Sequence, residues 1–181
     1  MLKITSVNSL AVGIRMIIAF VSQKLIAIFL RQEGVAILGN LRNIIPMIES
    51  FATLGIFNGV VKYVAELKDD KKELQKLFST AFAFGLSASI ISFIVLFFGA
   101  EKINILVFGK DQSFEFIFKI LSVSVPFIAL NRVFNGIVNG LSAYKKFAKI
   151  NIISYFFSTI FLLFSAYYKN IEGALIAIAL I

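Results

Sequence analysis

Hydrophobic positions in this chain come in runs too long for the core elements of a soluble domain and too unbroken for half-buried strands. Apolar stretches cover residues 9–30, 35–65, 77–100, 114–141 and 147–168, and a further run opens at Ala174 and is still hydrophobic at Ile181. A spanning helix needs about 20 mostly apolar residues, because the hydrocarbon layer is roughly 30 Å thick and a helix rises about 1.5 Å per residue. Five runs reach that length, and the sixth ends while still apolar. Lipid-facing strands would instead alternate polar and apolar residues over about ten positions. The pattern predicts an all-α, polytopic membrane helix bundle with five complete transmembrane helices and a truncated sixth.

Composition agrees with a bilayer as the solvent: 59% of residues are hydrophobic, 15% are charged and the mean hydropathy is +0.92. A soluble surface needs far more charge. The first run is too long for a signal peptide, carries Arg15 and Lys24, and is followed by no small-residue cleavage pattern. Cysteine and histidine are absent, which removes disulfides, thiolate and imidazole metal sites and His-based triads. No Gly-rich phosphate loop followed by Lys and Ser/Thr occurs. The chain is thus not expected to hydrolyse nucleotide by the usual route, and no cofactor and no metal are expected.

The formal charge of +8 would suggest nucleic acid for a soluble protein, but in a membrane chain it is read by side. Lys3, Lys62, Lys68, Lys71, Lys72, Lys76, Lys145, Lys146 and Lys149 fall at the N-terminus and in two alternate connections. Only Arg31, Lys102, Lys110 and Lys169 occupy the others. Positively charged short loops resist translocation, so nine against four predicts a cytoplasmic N-terminus. Between the second and third runs, Asp69 and Asp70 sit among lysines. That is ordinary loop composition, and it is preferred to a metal-binding acidic pair.

Ionisable side chains inside the runs cost a few kcal/mol each on insertion scales, so each needs a partner, a watery cavity or a route to the interface. Arg15 and Lys24 lie in the first run, Arg42 and Glu49 in the second, Lys119 and Arg132 in the fourth. Five cations against one acid leave positive charge that points to a cavity for an anion. Lys119 follows Glu115 by four residues, so a local pair or snorkelling explains it. Arg15 and Lys24, nine residues apart, lie on opposite faces of a straight helix. Arg42 stands with Asn40 and Asn43, and Glu49 lies seven residues further, on nearly the same face but about 10 Å along the axis. Pro46 between them removes a backbone donor. Glu49 is either the counter-ion of Arg42 or another base, or a carboxylate that couples transport to a proton or cation. The fourth run contains Pro126, Asn131 and Arg132. Its Phe134-Asn-Gly136 echoes Phe57-Asn-Gly59. Two Gly-xxx-Gly spacings, Gly55 with Gly59 and Gly136 with Gly140, predict close helix contact. Asn58, Asn135 and Asn139 fit either inter-helix bonds or sugar contact.

The string Leu54-Gly-Ile-Phe-Asn-Gly-Val-Val-Lys-Tyr-Val-Ala-Glu66 resembles the end of the second helix in Wzx-type flippases, the O-antigen and enterobacterial common antigen lipid translocases. These form the polysaccharide exporter branch of the multidrug/oligosaccharidyl-lipid/polysaccharide superfamily. Glu33 to Arg42, Gly140 to Asn151 and Asn170 to Ile181 fall in the same order, so the likeness spans most of the chain. Arg31-Gln32 departs from it where relatives often carry Gly-Pro. The resemblance implies two six-helix lobes around a central cavity, with residues 1–181 forming most of the N-terminal lobe and a C-terminal lobe missing. It also implies a cargo: an undecaprenyl-pyrophosphate-linked oligosaccharide, moved from the cytoplasmic to the periplasmic leaflet by alternating access.

The resemblance places basic cavity positions at Arg15, Lys24 and Arg42. Arg132 is added on the membrane-cost argument, and Asn58 as a sugar or helix contact. Expected partners are the lipid-linked oligosaccharide, membrane lipid and the missing lobe, with no nucleic acid, in the bacterial inner membrane. The other readings are a cation-coupled drug exporter of the same superfamily, a membrane enzyme of polysaccharide assembly and a nonfunctional truncated remnant.

Overall fold

The computed structural model describes the backbone of residues 2–110 and 113–181, and the side chains of 12–110, 113–143 and 148–181. Lys3, Lys145 and Lys146 of the charge asymmetry lie outside the described side chains. The elements are α1 (Leu2–Thr53), α2 (Ile56–Leu67), α3 (Lys71–Phe98), α4 (Ala100–Phe108), α5 (Glu115–Gly140) and α6 (Tyr144–Leu180). Among the described residues, four helices are long and apolar enough to cross a membrane: Val12–Thr53, Lys71–Phe98, Glu115–Gly140 and Ala148–Leu180. The protein is an all-α membrane helix bundle.

Two of these helices are broken and fold back. Arg31 has φ 57° and ψ −171° inside α1, in the left-handed region that glycine enters freely and arginine does not. On a straight helix Gln23 and Arg42 would lie about 28 Å apart along the axis. Their side chains are hydrogen-bonded at 3.2 Å, so α1 is a helical hairpin about Arg31. At Gly34 an added Cβ would lie 2.7 Å from Leu30 Cβ. The turn thus closes with no room for a side chain there. In α6 the break is at Asn170, with φ 52°, and Gly173 is pressed against the Ser165 carbonyl.

The chain divides into two compact units, Met1–Asn43 with Tyr144–Ile181, and Ile44–Ala143. In the first, Phe29 of α1 meets Tyr167 of α6 edge to face at 5.6 Å. Small residues, Ala166, Ala174 and Ala177, are fully buried. Small side chains let backbones approach where lipid supplies no hydrophobic drive between helices. Meanwhile Phe20, Ile17 and Phe157 are 78%, 68% and 65% exposed, an outward apolar surface suited to hydrocarbon.

The second unit centres on α5. Val60 and Val64 of α2, Ala81 of α3 and Val133 of α5 form one buried cluster, and Ala52, Leu96 and Val125 another. Gly136 and Gly140 bring α5 against α2: a Cβ on Gly136 would sit 3.0 Å from Val60 Cγ1, and one on Gly140 2.6 Å from Val64 Cβ. The other Gly-xxx-Gly spacing does not pack, since neither Gly55 nor Gly59 has anything within 4 Å of a built Cβ. Leu54 (φ 46°) and Gly55 (φ 68°) instead break the helix. This corrects the expected continuous helix over 35–65: hydropathy runs unbroken through a left-handed turn that separates α1 from α2.

Two further boundaries differ from expectation. The third helix begins at Lys71 rather than Leu77, because the Asp70 carboxylate accepts from the Lys72 and Glu73 amides at 3.0 and 3.1 Å. That is an N-cap, with Glu73 and Lys76 paired at 2.7 Å in the first turns. The connection after α3 contains α4, nine residues that hydropathy did not separate from a loop. Buried Asn104 on α4 accepts the Phe114 amide through Oδ1 at 2.9 Å, and Phe108 packs on Phe114 and Phe118. Removing the acceptor strands a buried donor, at about 1–3 kcal/mol. Asn104→Ala is therefore expected to lower the thermal midpoint of the purified protein, and an unchanged midpoint would reject this role for the side chain.

Candidate functional site

The in-span cations separate into those with an acid and those without. In the first unit, Arg42 projects from the second arm of the α1 hairpin, four residues before Pro46. Proline lacks the amide that would bond the Arg42 carbonyl. Its guanidinium donates to Gln23 Oε1 at 3.2 Å. The Arg15 guanidinium carbon lies 4.9 Å from the centroid of the Tyr155 ring, where the ring quadrupole attracts a cation. Lys24 is exposed next to Gln23. No ion pair among the described residues involves Arg15, Lys24 or Arg42. Amide oxygen and aromatic face orient these guanidinium groups without neutralising them.

The second unit is different. Arg132 of α5 and Glu49 of α1 form an ion pair, 83 positions apart in sequence. Glu49 is 22% exposed and Arg132 44%, so the contact is partly shielded. Beside it Asn135 donates to Asn131 Oδ1 at 2.6 Å, and Asn139 to the Asn135 carbonyl at 2.8 Å. Residues 131, 135 and 139 are spaced by one helical turn and form a polar stripe on α5. Asn58 is exposed on α2. Lys119 is paired with Glu115 at 2.6 Å, the local arrangement expected from their spacing. The Asp70 carboxylate caps α3 as described, and among the described residues no group of three His, Cys, Asp or Glu could hold a metal ion.

A sequence model of the polysaccharide biosynthesis protein family matches residues 1–180. The chain belongs to that family. Within curated proteins it is similar to the Lipid III flippase of Escherichia coli (strain K12) and that of Shigella flexneri. Each is 27% identical over 158 residues, covering 87% of this chain and 38% of the relative. The chain therefore spans less than two-fifths of the length of these relatives. No solved structure matches it. Family membership and the apolar helices together identify a multi-pass membrane protein of that family.

For this family member, residue type and depth singled out Arg15, Lys24, Arg42, Glu49 and Arg132, but not their partners. Gln23 and Tyr155 are the neutral groups that position the two arginines. The signal for Gln23 was its polarity inside an apolar run. Tyr155 had only its hydroxyl-bearing ring among phenylalanines. Neither signal says which cation it serves, since both contacts form after the helices fold together.

Proposed function

We propose that this chain is the N-terminal lobe of a flippase that carries an undecaprenyl-pyrophosphate-linked oligosaccharide, an O-antigen or related repeat unit, from the cytoplasmic to the periplasmic leaflet. It crosses the inner membrane with its N-terminus in the cytoplasm and with five complete spans and part of a sixth, and a second lobe completes the cavity. The observation that carries the reading is the pair of in-span arginines, Arg15 and Arg42, oriented by uncharged partners. An uncompensated guanidinium in hydrocarbon is costly, and a pyrophosphate relieves that cost through paired, charge-assisted hydrogen bonds. The names of the similar flippases support the same cargo class.

In this mechanism the lipid-linked sugar enters sideways, its pyrophosphate meets Arg15, Lys24 and Arg42 at successive points of a cationic lining rather than all at once, and the lobes rock outward. No bond is made or broken. Asn58 contacts sugar hydroxyls without fixing one sugar. Arg132 joins the substrate contacts when Glu49 lets it go, so neutralising Glu49 by a proton or displacing it by a cation links an ion gradient to substrate binding.

Deleting the gene is expected to remove surface polysaccharide and to accumulate the lipid-linked precursor on the cytoplasmic leaflet. Loss of drug resistance with intact polysaccharide would reject the reading in favour of a drug exporter. Chain-length defects without precursor accumulation would reject it in favour of a membrane enzyme. The coupling role has its own test. Glu49→Gln leaves Arg132 unmatched and is expected to lower thermal stability, whereas Glu49→Gln with Arg132→Gln restores it. If the double variant also exports normally, Glu49 serves only as a counter-ion.

A further inference from the structure

The second unit also carries a groove with no ionisable side chain in its lining. It has a volume of about 520 Å³ and is walled by residues 44–54 of α1 and 88–96 of α3, with Ile103 and Leu106 of α4 at one end. Ala88 and Leu96 are its buried floor, while Phe51, Ile91 and Leu106 are exposed at its rim. Ser92 is its one side chain with a hydroxyl, and that hydroxyl donates to the Ala88 carbonyl at 3.0 Å. Its one proton is thus already used, and every other lining side chain is apolar.

We propose that this groove binds one acyl chain of a bilayer phospholipid, with the lipid phosphate beside Lys102. Two observations select that occupant. Residues 44–54 rise about 15 Å, half of the roughly 30 Å hydrocarbon layer, so the groove has the depth of one leaflet. It lies toward the end of α3 at Phe98, where the span gives way to the short α4. Finally, Lys102 and Leu106 are four residues apart and share a face of α4. Leu106 touches the groove and Lys102 is exposed. Lys102 therefore lies on the α4 face that borders the groove, one turn before Leu106.

The groove takes a lipid of the surrounding membrane as a structural or regulatory ligand. The test is retention of phosphatidylglycerol by the purified chain, counted by native mass spectrometry after equilibration with that lipid. The wild-type chain is expected to keep one molecule. Ile91→Trp, filling the groove from an exposed rim position, should lower retention at least ten-fold. Lys102→Gln should lower it about five-fold, the worth of one lysine beside a lipid phosphate. Val21→Trp, on an exposed position of the first unit, should leave retention unchanged and controls for general damage. Equal retention by Ile91→Trp and the wild type overturns the proposal. So does displacement of phosphatidylglycerol by equimolar undecaprenyl phosphate, which would assign the groove to the cargo.

Discussion

Arg42→Ala is expected to cut surface polysaccharide at least ten-fold while the protein stays in the membrane at its normal level. The reason lies in its partner. Gln23 gives the guanidinium one acceptor at 3.2 Å and no charge, so the fork keeps donors for phosphate oxygens. Charge-assisted hydrogen bonds of this kind are worth about 1.5–3 kcal/mol each, and a bidentate pair adds orientation that a lysine does not. Arg42→Lys should therefore retain part of the export that Arg42→Ala loses. Gln23→Leu should weaken export less than Arg42→Ala, because it disturbs the aim of the guanidinium and not its charge. Surface polysaccharide measured by gel, with membrane protein quantified alongside, separates transport from expression. Normal polysaccharide in Arg42→Ala at normal expression would remove Arg42 from the site.

The second large effect is structural. At Gly140 a methyl group would lie 2.6 Å from Val64 Cβ and 2.9 Å from the Val61 carbonyl oxygen. One of those atoms is backbone, so no rotamer change relieves the clash and α2 must move away from α5. Overpacking of this kind costs about 1–3 kcal/mol, occasionally more. Gly136→Ala meets Val60 Cγ1 at 3.0 Å and should cost less. Gly59→Ala meets nothing within 4 Å and should be neutral or stabilising by about 0.5–1 kcal/mol through helix propensity. The expected order of destabilisation is thus Gly140→Ala, then Gly136→Ala, then Gly59→Ala. With no tryptophan in the chain, the readout is the monodisperse fraction left after heating in detergent. Adding Val64→Ala should recover little of the Gly140→Ala loss, because the Val64 Cβ and the Val61 carbonyl oxygen both stay in place. Equal stability of the Gly59 and Gly140 variants would contradict the packing of α2 on α5.

Helical class and membrane solvent were legible because both are local. Hydropathy over about 20 residues and the absence of alternation need no knowledge of neighbours. The same locality explains the misses. The run over residues 35–65 is uniformly apolar, and the turn at Leu54-Gly55 changes φ without changing hydropathy. Asp70 followed three residues later by Glu73 was a readable cap signal that a span search passes over. Glycine spacing was ambiguous for another reason: Gly55 with Gly59 and Gly136 with Gly140 are the same pattern, but only the second meets a partner helix.

By itself, then, the amino-acid sequence determined that this chain is an all-α membrane protein and that it carries more cations than acids inside its apolar runs. Both follow from the cost of placing polar groups in hydrocarbon, which each segment meets on its own. Tertiary structure decided how those cations are partnered. Arg132 meets Glu49 across 83 positions, whereas Arg42 meets Gln23 across a hairpin at Arg31, and Arg15 meets the Tyr155 ring. An ion pair or cation–π contact forms only within a few ångströms, and helix packing alone brings such distant residues that close.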